Sequence, residues 1–445
     1  MATTKPPSPK IAIIGAGPVG CMLARLLYLA DIECTVFEGE DSPNYRSQGG
    51  TLDLHTDTGL AAMRAAGLDK EFEELARYDG EAMKIMNEKG KILVQLEASG
   101  KDKSRLAGSR PEIDRALLRQ LLGQSLPEGM IRWGHHLKSV EEDGRLVFRD
   151  STESGFDLIV GAEGAWSKVR KLLSNQVPVY SGLSMYEIAI PEPETRTPKL
   201  YKLANRGSIF AHAPEGRELV FQQMGSGELH VYAIFRADES WMDEQRKNPP
   251  ALADVKEILL GKNGTFADYN ETLKDGLANC EEKCIPRQLH MLPVGFRWKH
   301  RRGATIIGDA AHVMTPFAGE GVNVGLKDSL DLSAAIIAAI RDDNTEVSLA
   351  DRLDKAVERH EIEMGPRVDG YTTLTNDMMN IWFFSSEPPE KKVVKAMSKI
   401  VSFNSPYVLR PFAGAGVQIY FAMKNALGSV FGCMRAWHGI TRHWN

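Results

Sequence analysis

Apolar and polar residues alternate along this chain with changing periods, and each change marks a new part of the molecule. The run Ile11-Ala-Ile-Ile14 reads as a buried strand. It breaks at Gly15-Ala-Gly-Pro-Val-Gly20 and passes into residues 21–30, where Leu23, Leu26 and Leu27 recur at helical spacing. A second strand is expected over residues 33–38, and apolar runs before Gly161 and Gly308 predict two more, each followed by a helix. Strand edges near residues 15, 161 and 308 are where an open α/β sheet presents ligand-binding loops. From residue 183 to 235 the period drops to two. Short runs at 185–190, 200–203, 208–213, 218–224 and 228–236, separated by Pro, Gly and Asn, predict an antiparallel meander inserted into the α/β domain. In the last run Leu229, Val231, Ala233 and Phe235 form the expected core face, leaving His230, Tyr232 and Ile234 on the more open one. Helical spacing resumes after Asn248 and again over 349–364. The apolar stretch 412–431 is interrupted by Lys424 and several glycines, so a packed C-terminal helix pair is expected there. Membrane or partner contact is the alternative.

Composition narrows the functional classes. At 445 residues, 43% of them hydrophobic, the chain can bury more than one core. A net charge of -5 without any basic run interleaved with aromatics gives no electrostatic case for nucleic acid. Cys21, Cys34, Cys280, Cys284 and Cys433 are few and odd in number, which fits a reducing compartment better than a disulfide scaffold. Cys280 and Cys284 lack the further Cys or His ligands a metal site needs, so no metal is expected. Residues 1–10 are polar and Pro-rich, and the apolar run beyond them is broken by a glycine turn and Arg25, unlike a signal peptide. The expected location is cytoplasmic.

The strand edges carry the candidate chemistry. In G-x-G-x-x-G, Gly15 makes the tight turn, Gly17 admits a pyrophosphate to the helix N-terminus, and Gly20 lets that helix lie close on the sheet. Glu38, 18 residues beyond Gly20, stands where an acid takes ribose hydroxyls. The fingerprint does not choose between NAD and FAD. In Arg46-Ser-Gln-Gly-Gly50-Thr-Leu-Asp53-Leu-His55 the paired glycines either pass beneath a planar ligand or form a surface turn. Arg115, at an expected helix start, either reaches a phosphate or ring edge or makes a surface ion pair. Asp309 can accept hydrogen bonds from sugar-alcohol hydroxyls, and Gly319 and Gly321 let backbone approach a ligand before a helix begins near Val322. His230 either looks onto a cavity or is solvated.

Taken in order, Gly15-Ala-Gly-Pro-Val-Gly20, Gly161-Ala-Glu-Gly164 and Gly308-Asp309 with Pro316-Phe-Ala-Gly-Glu-Gly-Val-Asn323 resemble the single-component (group A) flavoprotein monooxygenases of the p-hydroxybenzoate hydroxylase-like fold. The resemblance spans residues 10–367, and residues 49–55 and 308–323 look closest to the tetracycline-inactivating monooxygenases. It implies an α/β architecture: a Rossmann-like FAD-binding domain over 1–178 and 296–367, an inserted antiparallel β-sheet substrate domain over 179–295, and a C-terminal helical segment over 368–445. It implies FAD as cofactor, with Glu38 at the adenosine ribose, Gly50, Asp53 and Arg115 contacting the cofactor, and Asp309 at its pyrophosphate–ribityl portion. Gly319, Gly321 and Val322 would lie at the isoalloxazine, and Pro316 and Phe317 would form an apolar wall. Arg46 matches an arginine that serves NADPH, and Glu187, His230 and Phe317 fall to the substrate.

No catalytic side chain is implied, because in this family the flavin carries the chemistry. NADPH reduces FAD, O2 adds as a C4a-hydroperoxide, and one oxygen atom passes to an electron-rich ring or enol carbon. Four positions depart from the pattern. Gly39 replaces an arginine common beside the ribose acid, and Glu163 replaces the usual aspartate. Glu187 and Ser208 stand near a glutamine and an arginine of the tetracycline enzymes. The expected activity is oxygenation of a polycyclic phenolic or enolic substrate such as a tetracycline. The alternatives are hydroxylation of a related polyketide or simple aromatic, a flavin reductase or dehydrogenase without oxygen insertion, and a flavin-bearing interaction protein.

Overall fold

Four consecutive buried residues, Ile11–Ile14, make the central strand of a five-stranded parallel sheet. Leu158–Gly161 and then Ala304–Ile306 lie on one side of it, Cys34–Phe37 and then Ile131–Arg132 on the other. The structure, a computed structural model, describes residues 9–43, 49–98, 110–343, 346–406 and 409–427. Ile11–Ile14 and Leu158–Gly161 are apolar at every position because both faces are covered. On one face, Ile11 and Ile13 meet Leu23 and Leu27 of the helix Pro18–Leu29 and Leu326, Leu332 and Ile336 of the helix Gly321–Arg341. On the other, Ala12 and Ile14 pack with Phe37, Phe148, Val169 and Met364. Truncating a fully buried leucine such as Leu23 or Leu27 to alanine costs about 2–5 kcal/mol.

The period-two region forms a seven-stranded sheet in the order Glu281–Met291, Val179–Ile190, Leu229–Arg236, Glu218–Gln223, Ser208–His212, Met83–Asn87, Ile92–Leu96. Every neighbouring pair is antiparallel except Ser208–His212 with Met83–Asn87. The meander is therefore mixed at one seam, and its last two strands come from within residues 1–178. One expected strand is absent: residues 200–203 lie in the helix Pro198–Ala204. Pro198 presets the first helical turn, and Leu200 and Ala204, one turn apart, are its buried residues.

The two faces of this sheet bury different partners. Leu229, Val231 and Ala233 are fully buried with Leu200, Val255, Leu259, Leu273 and Leu277 from the surrounding helices. Val220 and Ile234, on the opposite face, pack against Met378, Trp382, Phe383 and Val393 of the C-terminal region. That region begins with the helix Leu349–Met379, which runs on through Pro366, and a π-helical turn at Asn380–Phe384. The helices Pro389–Phe403 and Arg410–Leu427 then pack on each other. Among the described residues, no helix is long and apolar enough to cross a membrane.

Candidate active site

Three strand ends meet where the sequence places its glycines. Gly15 has φ +103, and a Cβ there would stand 2.6 Å from the Ala162 carbonyl oxygen, so the first and middle edges touch through bare backbone. Gly20 lies close enough to Gly15 that a Cβ would meet its carbonyl oxygen at 2.0 Å. Gly17 caps the helix Pro18–Leu29, and nothing lies within 4 Å of where its Cβ would be. The third edge joins them at Val19, whose carbonyl accepts from the Ser329 hydroxyl at 2.8 Å. Glu38 closes the first edge: its carboxylate accepts from the Ala16 N–H at 2.6 Å and the Glu40 N–H at 3.0 Å. At Gly39 a Cβ would stand 2.8 Å from His136 Nδ1, so the imidazole takes the room that a larger residue would need.

Glu163 has a different task from that of a ligand-facing acid. One carboxylate oxygen accepts from the Ser167 hydroxyl and from the N–H groups of Lys168 and Val169, all at 2.8–2.9 Å. It thereby caps the helix Val169–Leu173. Burial pushes its pKa up despite these donors.

After Ala304–Ile306 the chain turns at Gly308, φ +59, and Asp309 opens a short helix with its side chain exposed. The Gly308 N–H donates to Asp328 Oδ2 at 2.9 Å. His312 Nε2 contacts the same oxygen at 2.6 Å, and Arg367 donates to Oδ1 at 2.8 Å. Asp328 is completely buried; burial raises its pKa, but His312 and Arg367 outweigh that and hold the carboxyl well below the usual range. Pro316–Ala318 forms a 3-10 turn, Gly319 follows in the left-handed region at φ +71, and Gly321 begins the 21-residue helix. Space is open at Gly321, and the nearest atom to a Cβ on Gly319 would be Asp53 Oδ1 at 3.7 Å.

Gly50 to His55 runs alongside. Thr51–Asp53 pairs with Glu112–Asp114, and the Arg115 N–H donates to the Gly50 carbonyl at 3.1 Å. The exposed Arg115 side chain passes beneath Gly49, whose Cβ would stand 3.1 Å from Nε. Asn323 fixes this strand to the long helix, donating to the Asp53 carbonyl at 2.8 Å and accepting from the His55 N–H at 2.9 Å. His55 Nε2 lies 2.9 Å from Asp53 Oδ2, and its Nδ1 lies 3.3 Å from Glu320 Oε2.

The face of the seven-stranded sheet that the C-terminal helices partly cover closes, beside them, on Gly50. The Thr51 N–H donates to the Gln222 amide oxygen at 3.1 Å, and a Cβ on Gly50 would stand 2.8 Å from the Tyr232 hydroxyl oxygen. On this face His230 opposes Gln222 and Ala189, and Tyr232 opposes Glu187. Glu187, buried, is ion-paired with Arg287 from the edge strand. Ser208, also buried, opposes Gln222 on the far side. Phe317 packs on Phe383 with ring centroids 4.6 Å apart.

The structure thus gathers Gly15, Gly17, Gly20 and Glu38 at one edge and Gly50, Asp53, Arg115, Gly319 and Gly321 at the facing one. Pro316 and Val322 lie in the turn and helix start between them and Asp309. Glu187 and His230 lie on the sheet face beyond. Arg46 lies outside the described residues. His55, Glu320, Asp328, Arg367, Gln222 and Arg287 are further members that sequence reasoning did not select. The one available signal was an Asn323 and an Asp328 in a helix that also buries Val324, Leu326, Leu332 and Ile336. The open glycine cradles and the exposed acid at a strand end fit an elongated dinucleotide.

Residues 9–268 and 296–361 match the family described as FAD binding domain. The chain is 33% identical over 415 residues to monooxygenase penA of Penicillium thymicola, covering 82% of this chain and 93% of that protein. In fold it is similar to HpxO of Klebsiella pneumoniae, solved with FAD and uric acid, with a TM-score of 0.68 and 18% identity over 85% of this chain and 90% of that one. Tetracycline destructase Tet(55) is similar in fold too, with a TM-score of 0.65 and 16% identity over 90% of this chain and 98% of that one.

Proposed function

The chain belongs to the FAD binding domain family and is an FAD-dependent monooxygenase, and on that premise we propose that it uses NADPH and O2 to oxygenate a polycyclic phenolic or enolic compound. The observation that carries the substrate reading is the polar face of Glu187, Arg287, His230, Tyr232 and Gln222 set against Gly50 and Thr51. Bound FAD would supply the electrons and the activated oxygen. The chain's own part is to place the substrate, exclude water and stabilise charge. Glu38 and the glycine turn would hold the adenosine end, Asp309 the middle, and the Gly319–Val322 turn the ring. The free N–H groups at the start of the long helix would face the place where negative charge develops on the bound cofactor. Phe317, backed by Phe383, would keep water from the reacting carbon.

Glu187 and Arg287 together offer an acceptor beside guanidinium donors, which suits a substrate edge carrying an O–H or N–H next to a carbonyl. A tetracycline has such an edge, and tetracyclines are the first compounds to try. The Glu187–Arg287 pair and the buried Ser208 also support a second reading. Where the tetracycline enzymes use an amide and a guanidinium, this face presents a paired carboxylate and a hydroxyl, which shifts recognition toward a related polyketide. Incubation with tetracycline, polyketides and simple phenols in the presence of NADPH tests both readings. Loss of near-ultraviolet absorbance with a product heavier by one oxygen atom identifies the substrate. NADPH oxidation stimulated by these compounds with oxygen appearing in none of them would count against the substrate class proposed here. Arg46→Ala should raise the NADPH requirement while leaving the flavin spectrum intact, and unchanged reduction kinetics would remove Arg46 from the site.

A further inference from the structure

We propose that His55 is a positioning residue for the flavin, a cationic clasp that ties the Thr51–Asp53 strand to the turn ahead of the Gly321–Arg341 helix and holds FAD at full strength only while both ring nitrogens are protonated. The proposal rests on the FAD assignment. Its basis is the pairing of the ring: Nε2 lies 2.9 Å from Asp53 Oδ2, and Nδ1 lies 3.3 Å from Glu320 Oε2. Ionised carboxylates only accept, so both contacts are attractive only when each nitrogen carries a proton. A neutral ring would aim a lone pair at one of the two carboxylates. The two acids come from the two segments that line the flavin ring's expected place. Asp53 ends the strand that follows Gly50, and Glu320 stands between Gly319 and Gly321.

The surroundings make this a rigid link. Asn323 clasps the backbone on either side of the ring, through the Asp53 carbonyl and the His55 N–H. Glu320 is 5% exposed, so its carboxylate gains little from water. Other titratable groups acting here are Arg110 toward Asp53, and Tyr371 of the long C-terminal helix, which faces Glu320 and senses Asp57, Arg110 and Arg367. Burial alone would lower the pKa of His55, but the hydrogen bond to Asp53 and the charges of Asp53 and Glu320 outweigh it and raise it to about 9. A raised folded-state value means that the clasp contributes fully below the ordinary histidine range and is lost as pH rises through about 9.

The test is the FAD dissociation constant of the stripped and refilled protein, followed by flavin fluorescence from about pH 6 to about pH 10.5. Wild type should bind evenly up to about pH 8 and weaken about tenfold by about pH 10. His55→Gln should already bind about tenfold more weakly at neutral pH, with no further fall across that interval. Glu320→Gln removes one carboxylate and should move the wild-type fall to lower pH. Wild-type affinity in His55→Gln at neutral pH, or the same fall in that variant, overturns the clasp. Should His55→Gln fail to fold, an unmoved pH course in Glu320→Gln overturns it instead. A wild type that takes up no FAD at any pH overturns the flavin assignment and the clasp with it, whereas normal wild-type binding with unaltered variants overturns the clasp alone.

Discussion

Asp328 has no exposed surface, yet its two oxygens serve a backbone N–H and an imidazole from the Gly308–His312 turn and a guanidinium from the long C-terminal helix. Removing the carboxylate leaves Arg367 and the Gly308 N–H without their buried partner, so Asp328→Ala should destabilise the fold by about 3–5 kcal/mol in a urea titration. It should also loosen FAD binding, because Gly308 aims Asp309. The carboxyl lies below its usual range, so this stabilisation is complete above about pH 4 and is lost only as pH falls through the depressed value. Asp309→Ala, by contrast, removes an exposed side chain. It should weaken FAD retention on gel filtration while leaving the urea midpoint of the apoprotein within about 0.5 kcal/mol of wild type. Gly15 and Gly20 were legible because each has a local backbone job that no other residue performs, and Gly17 because a ligand's approach to a helix start needs the space it leaves open. Arg367 and Arg287 were not. Each is defined by a partner 39 and 100 positions away, and spacing along the chain carries no record of such pairs.

Among the elements, the C-terminal helix Pro389–Phe403 is pinned to the seven-stranded sheet by a buried polar cluster rather than by apolar contact alone. Lys392 Nζ donates to the carbonyls of Pro214 and Trp382, each at 2.9 Å. His212 stacks on Trp382 at 3.7 Å and contacts Glu218 at 3.4 Å. Burial pushes Glu218 up to about 8 and Lys392 down to about 8. Between about pH 6.5 and pH 8 the unfolded chain holds fewer protons at Glu218 than the native one, so stability falls as pH rises; below about pH 6.5 the buried His212, whose pKa burial holds down, offsets this. Above about pH 8 the unfolded chain holds more protons at Lys392, so stability rises again. The cluster should give wild type a stability minimum near pH 8. Glu218→Gln should flatten the acid side and Lys392→Met the alkaline side of the urea midpoint against pH. Profiles parallel to wild type would count against buried titration at this seam. Long elements with sustained periods were readable in the sequence, and the errors fell where local pattern and tertiary context disagree. Leu200-Tyr-Lys-Leu203 was short enough to suit either period, and its neighbours in the core chose the helix. The strands Met83–Asn87 and Ile92–Leu96 are joined by a turn at Gly90, but the parallel partner of the first is Ser208–His212, a long way along the chain.

That long-range pairing governs how the whole molecule should unfold. The seven-stranded sheet takes two strands from the N-terminal segment, and its other strands follow only after residue 178. The chain then returns to the parallel sheet at Ala304–Ile306. Neither sheet can be completed without crossing into the other's stretch of sequence. The Gly50 strand and Tyr232 meet at the seam between them, and the C-terminal helices cover the sheet's second face. A domain cut at residues 178 and 295 would therefore strip two strands from one edge and expose Ile85 and Val94. The intact protein should melt in one cooperative transition, with tryptophan fluorescence and flavin release giving the same midpoint. FAD at one hundred times its dissociation constant should add about 2.7 kcal/mol to the whole fold, since the ligand is linked to every element that unfolds with its site. Two transitions, of which FAD moves only the one that releases flavin, would mean that the seven-stranded sheet opens independently and that the shared strands do not couple it to the cofactor.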